Sequence, residues 1–144
     1  HYLKKEPWTQ ENAGLKVLTA GKKSGMVIED ATDATLLNGN FYFMKNPYGS
    51  KTPASYGIYS LSSYTTTPLS LKADAPCFIG VDPVTKHIFL GSYSLGETGY
   101  PSYKINGYVQ EYNADGSSVL HRYETGVGPT TIFFNAGVKY VKVN

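Results

Sequence analysis

What this sequence has little of narrows its function before any motif is read. It holds one cysteine, Cys77, which excludes an internal disulfide. Flanked by Pro76 and Phe78, with no histidine beside it in sequence, Cys77 reads as a small buried hydrophobe rather than a nucleophile. Charge is sparse: 17% of residues are Asp, Glu, Lys or Arg, and the formal net charge is only +2. Basic residues pair at Lys4-Lys5 and Lys22-Lys23 and go no further, so the basic stripe that nucleic-acid binding requires is missing. No window approaches the roughly 18 apolar residues of a membrane span. The opening H-Y-L-K-K-E-P-W lacks the apolar core of a signal peptide, and a start on His rather than Met points to trimming or a tag remnant. No stretch sustains three turns of helical periodicity, so helix should be slight.

What the chain does have is tyrosine, glycine and proline, at 13, 15 and 8 of 144 residues. Aromatic side chains suit pleated, half-buried surfaces, and Gly and Pro punctuate turns, so the composition points to a single all-β domain. Short β-runs are expected at Leu15–Thr19 and Gly25–Glu29, separated by a Gly21–Gly25 loop. Asn38-Gly39 between the apolar runs Thr35–Leu37 and Phe41–Met44 is a strong hairpin signal, because a type I′ turn needs positive φ at both central residues. Further strands are expected at Tyr56–Leu61, Leu69–Leu71, Cys77–Val81, His87–Leu90, Gly107–Tyr112 and Val119–Glu124. Residues 1–13 show no periodicity and are expected to run extended, with Trp8 docked on the body of the fold.

Part of this pattern repeats. Ala75–Tyr93 (A-P-C-F-I-G-V-D-P-V-T-K-H-I-F-L-G-S-Y) returns as Gly128–Asn144, and a worn copy lies at Ala34–Asn46. Aligning Ala34, Ala75 and Gly128 divides residues 1–144 into a half unit at 13–32, units at 33–73 and 74–127, and a half unit at 128–144. Four strands per unit at a period of 40–50 residues is the signature of β-propeller blades. A lone four-stranded meander cannot bury both faces, so each must stack on a neighbour. With the two chain ends sharing one blade there are three blades' worth of sheet, too few for a closed ring, which implies either a homodimer closing a six-bladed ring or a fragment of a longer propeller. The competing architecture is an ordinary β-sandwich.

The segments A-P-C-F-I-G-V-D-P-V-T-K-H-I-F-L-G-S-Y and N-G-Y-V-Q-E-Y-N-A-D-G-S resemble blades of the YVTN and lactonase-type seven-bladed propellers, the 6-phosphogluconolactonase-like group. The resemblance spans roughly residues 33–144 and implies propeller blades. It also implies hydrolysis of a sugar lactone as one activity, although the His- and Arg-bearing loops associated with that chemistry have no counterpart here.

Groups able to do chemistry are few. His87 and His121 sit inside strands without metal-ligand spacing and read as surface or cross-strand residues. Glu29, Asp30 and Asp33 form an acidic turn without EF-hand spacing, expected to be a solvated loop. No catalytic residue, metal ligand or cofactor is assigned. Binding is assigned instead to Tyr48, Tyr93, Tyr100, Tyr103 and Tyr108, around the Asn46–Ala54 and Ser94–Asn106 loops. Tyrosine offers a flat face and a hydroxyl at small entropic cost. The first reading is therefore a non-catalytic module, extracellular or at a cell surface, that binds a glycan or a protein. The alternatives are a lactonase-like enzyme and a purely structural assembly unit.

Overall fold

The run N-F-Y-F-M-K at residues 40–45 has no polar alternation, so a strand formed from it must be covered on both faces. That requirement governs the architecture. The computed structural model describes residues 2–4, 14–19, 22–46 and 52–136. Among them are eleven strands and no helix: β1 (Tyr2–Lys4), β2 (Gly14–Thr19), β3 (Lys22–Glu29), β4 (Ala31–Leu37), β5 (Asn40–Lys45), β6 (Ser55–Ser60), β7 (Thr66–Leu69), β8 (Ala75–Val81), β9 (Ile88–Tyr93), β10 (Tyr108–Tyr112) and β11 (Val119–Glu124). They form three antiparallel meanders, β1-β2-β3, β4-β5-β6-β7 and β8-β9-β10-β11.

The sheets stack in chain order. One face of β5 presents Phe41 and Phe43 to Leu15 and Ile28 of the first sheet. Its other face presents Met44 and Tyr42 to Ile79, Val81, Ile88 and Leu90 of the third. Ile88 and Leu90 are fully buried, and each such side chain contributes roughly 1.5–3 kcal/mol. The leading strands of the second and third sheets also meet through hydrogen bonds. Asp33 Oδ2 accepts the Ile79 amide at 2.9 Å, and the Thr35 hydroxyl donates to the Ile79 carbonyl at 2.9 Å.

Residues 128–136 continue the stack on the far side of β8. Ile132 fits so closely over Gly80 that a Cβ there would lie 2.5 Å from its Cγ2. Phe134 packs edge-on against Phe89, and the Cys77 thiol donates to the Pro129 carbonyl. This segment forms no ladder within the described residues, so the expected strand opening at Pro129 is not made there. The expected pairing of the two chain ends falls on residues 137–144, outside the described residues. At the other end, the edge of β2 opposite β3 is taken by β1, where no strand was expected. Trp8 and Tyr48 also lie outside the described residues.

Three boundaries differ markedly from the sequence reading. The supposed Gly21–Gly25 loop lies largely within β3, whose register with β2 starts at Thr19 opposite Lys22 and is carried past Gly25 by one irregularity and past Val27 by a second. The expected strand at Leu69–Leu71 is instead Thr66–Leu69, an edge strand that tolerates Pro68. The second sheet opens at Ala31, three residues before the Ala34 aligned with Ala75, and Asp30 makes the sharp link from β3 at φ 58°. The acidic turn is also not wholly solvated, because Asp33 points into the seam between sheets. The hairpin at Asn38-Gly39 is as expected, with φ of 48° and 75°.

Candidate binding face

Antiparallel meanders sort their connections to two ends. One end carries the short turns 38–39, 61–65, 82–87 and 113–118. The opposite end carries the 70–74 connection, the long 94–107 connection, and Asn46 and residues 52–54 of the link between β5 and β6. Asn46 holds this end together: its amide donates to the Thr32 hydroxyl at 3.1 Å, and its side-chain NH2 donates to the Pro76 carbonyl at 2.9 Å. The 94–107 loop is pinched by a bridge between Leu95 and Pro101 and by the Ser102 amide donating to the Ser94 carbonyl at 2.9 Å.

Between these loops lies an open cleft of about 400 Å³. Its wall is formed by Pro53, Ala54, Ala73, Ala75, Pro76 and Pro101, with Asn46, Thr52 and Asp74 supplying polar groups. Long connections gathered on a rigid stack are the usual location of binding residues.

The five tyrosines assigned from sequence do not share one role. Tyr100 and Tyr103 are 74% and 71% exposed on the loop that contributes Pro101 to the cleft. Tyr93 is half-buried, its ring edge-on to Tyr103 at 5.2 Å between centroids. Burial pushes the Tyr93 hydroxyl above its ordinary range, with the nearby Cys77 and Tyr103 adding to the effect. Tyr108 is a correction: it is 2% exposed and its hydroxyl accepts the Asp74 amide at 2.9 Å. The Arg122 guanidinium lies 3.5 Å from the centre of its ring. Tyr108 therefore fastens the 70–74 connection to the third sheet and presents no free face. Tyr112 does the same two pleat repeats further along β10, accepting from the Lys72 amide and donating to the Lys72 carbonyl.

Sequence reasoning missed one concentration of titratable groups. On the face of the third sheet that turns away from the second, Glu111 meets His87 Nδ1 at 2.7 Å, His121 Nδ1 at 3.3 Å and the Tyr123 hydroxyl at 2.6 Å. The Tyr123 hydrogen bond holds the Glu111 carboxyl below its ordinary range, and His87 adds to this against the opposing effect of desolvation. Glu111 stands directly opposite His121 across β10 and β11, a pairing produced by a register shift between Glu111 and Tyr112, so counting back from the Asn113–Gly116 turn would have set Glu111 against Leu120 instead. Among the described residues no group of three or more His, Cys, Asp or Glu is arranged to hold a metal ion. Cys77 is half-buried, and its thiol is pushed up to about 11, chiefly by burial.

No family model matches the chain, and no curated protein or solved structure matches it.

Proposed function

We propose that this protein is a β-propeller-like, non-catalytic binding module that takes a glycan at its long-loop end. The observation that carries the reading is the cleft between residues 52–54 and the 94–107 loop, beside exposed tyrosines on a stack of sheets. Apolar proline and alanine walls suit the C–H faces of a sugar, while Asn46, Asp74 and the tyrosine hydroxyls offer partners for its hydroxyls. The propeller reading is supported by the succession of antiparallel meanders whose leading strands β4 and β8 lie side by side, followed on the same side by residues 128–136. Phe133, 90% exposed on the face after that segment, supports a further sheet stacking there, supplied by a second copy that completes a six-bladed ring. A tyrosine-rich surface of low charge fits an extracellular or cell-surface setting.

Glycan-array binding with the intact chain tests the proposal, with titration of any hit by the Tyr100→Ala and Tyr103→Ala variants. Silence across the array, with a peptide or protein captured instead at the same loops, would replace the glycan by a protein partner. Lactone hydrolysis, the activity implied by the likeness to lactonase-type blades, is the second reading. Among the described residues Asp74 is the one ionisable side chain lining the cleft, so they supply no acid–base pair for that reading there. Clear turnover of a sugar lactone would overturn the non-catalytic proposal.

A further inference from the structure

Just past β11, the Thr125 amide donates to the Gly107 carbonyl at 3.0 Å, and the Gly107 amide donates to the Gly126 carbonyl at 3.2 Å. Bonded and non-bonded positions alternate along an antiparallel pair, so Tyr123 and His121 also turn their backbone groups to β10, opposite Val109 and Glu111. Arg122 and Glu124 therefore aim their N–H and C=O groups outward, at the edge of the third sheet. Among the described residues no strand lies beyond β11. The fourth strand of the second sheet, β7, is four residues long and carries Pro68, which has no N–H to offer a further strand. β11 is six residues long, with neither proline nor lysine. Its one irregularity with β10 falls at Leu120 and leaves the run from His121 to Glu124 regular. An edge so little protected is a template for another strand.

We propose that a second copy of this chain fills this edge, the two β11 strands pairing antiparallel about a two-fold axis at Tyr123 and joining two four-stranded sheets into one. Three registers set outward-facing residues opposite one another near the middle of the strand. One puts Arg122 against Arg122 and another Glu124 against Glu124, and like charges directly opposite are destabilising. The third, centred on Tyr123, puts Arg122 against the partner's Glu124 and Glu124 against the partner's Arg122, an ion pair on each side of the axis. Arg122 and Glu124 already lie side by side on one face of β11, Nε and Oε1 3.5 Å apart. Tyr123, on the other face and 47% exposed, meets its own copy at a non-hydrogen-bonded position, where side chains approach most closely. Opposite charges flanking a central aromatic make the strand complementary to itself under two-fold rotation, the condition for an isologous contact. The contact is distinct from the Phe133 face, because Phe133 follows Ile132 over β8 at the other edge of the sheet. It is distinct from the cleft too, whose described lining includes no residue of β11.

Sedimentation of the intact chain over a concentration series should show self-association, with the Arg122 and Glu124 amides gaining protection from hydrogen exchange as concentration rises. The Tyr123 amide, held by β10 in the single chain, should respond far less. Glu124→Arg and Arg122→Glu should each weaken association about tenfold or more, since two attractive cross-strand pairs become repulsive. The exchanged pair Arg122→Glu/Glu124→Arg restores both attractions and should return association close to that of the native chain. Arg122 and Glu124 amides whose protection ignores concentration, or a double variant no tighter than either single one, overturn the proposal. Arg122 also covers the Tyr108 ring. Should the variants at that position fail to fold, Glu124→Arg must still weaken association, with Glu124→Gln falling between it and the native chain. Association that is unchanged in Glu124→Arg belongs to another face and overturns the pairing.

Discussion

Asp33 Oδ2 accepts the backbone N–H of Ile79 at 2.9 Å, joining the leading strands of two successive sheets. β4 and β8 belong to different sheets, so this amide lies outside any ladder between them and would be unpaired without the carboxylate. The neighbouring Thr35 hydroxyl takes the carbonyl of the same residue, so both polar groups of Ile79 are answered from β4. The seam between sheets is thereby fixed in register as well as buried.

Asp33→Ala should therefore lower stability by about 1–3 kcal/mol, the cost of leaving a buried donor without its partner. Urea unfolding should show a lower midpoint with an unchanged slope. Asp33→Asn keeps an acceptor oxygen in place and should recover much of the loss. Equal damage from Ala and Asn would show that the charge, and not the hydrogen bond, is what the seam needs.

Gly39→Val should cost about 1–2 kcal/mol, because a side chain in the left-handed region clashes with its own backbone. Space is not the issue, since a Cβ at Gly39 would meet nothing within 4 Å at its φ of 75°. Gly39→Asn, which accepts positive φ, should be milder. Thermal melts of the two variants separate backbone strain from crowding.

How far the sequence spoke can be judged from these same residues. The Asn38-Gly39 turn and most strands from Phe41 to Glu124 were legible because apolar runs and turn chemistry are local, whereas the polar edge strand Thr66–Leu69 was placed three residues late. Asp33 and Tyr108 were misread for a shared reason: whether a polar tip faces solvent or a neighbouring sheet is decided by stacking, which no local pattern encodes. Asp33 was taken for part of a solvated turn, and Tyr108 for a binding residue, yet each satisfies an amide on another segment. The Glu111 cluster was missed because His87, His121 and Tyr123 lie 24, 10 and 12 positions from Glu111 in sequence and meet it only through β-pairing. Gly21–Gly25 looked like a loop because glycine weakens a strand, but the ladder absorbs Gly25 through an irregular register.

Alkali should unfold the protein earlier than its exposed groups alone would dictate. Burial pushes the Cys77 thiol up to about 11, raises Tyr56 well above the ordinary tyrosine range and also raises Tyr112. A group whose value is raised on folding gives stability that is full below its unfolded value and fades as the pH climbs towards its folded one. Unfolding free energy should therefore hold steady to about pH 9 and decline above it as cysteine and then tyrosine ionise. Cys77→Ala should delay the onset of that decline. An onset unmoved in Cys77→Ala would assign the effect to the tyrosines alone.

The tyrosines of the 94–108 region should separate into two classes under substitution. Tyr108→Phe removes the hydroxyl that accepts the Asp74 amide and should cost about 1 kcal/mol or somewhat more in stability. Tyr100→Ala leaves the melting temperature within a degree or two, because its ring is largely in solvent and surface changes stay within about 0.5 kcal/mol. Tyr103→Ala also loses the edge-on contact with Tyr93, so a loss nearer 0.5–1.5 kcal/mol is expected there. Ligand affinity should run the other way, falling with Tyr100 and Tyr103 and holding with Tyr108→Phe once the variant is folded. Calorimetric titration of all three with one glycan hit checks the pattern. Affinity that tracked stability across the series would mean that these loops support the sheets and hold no ligand.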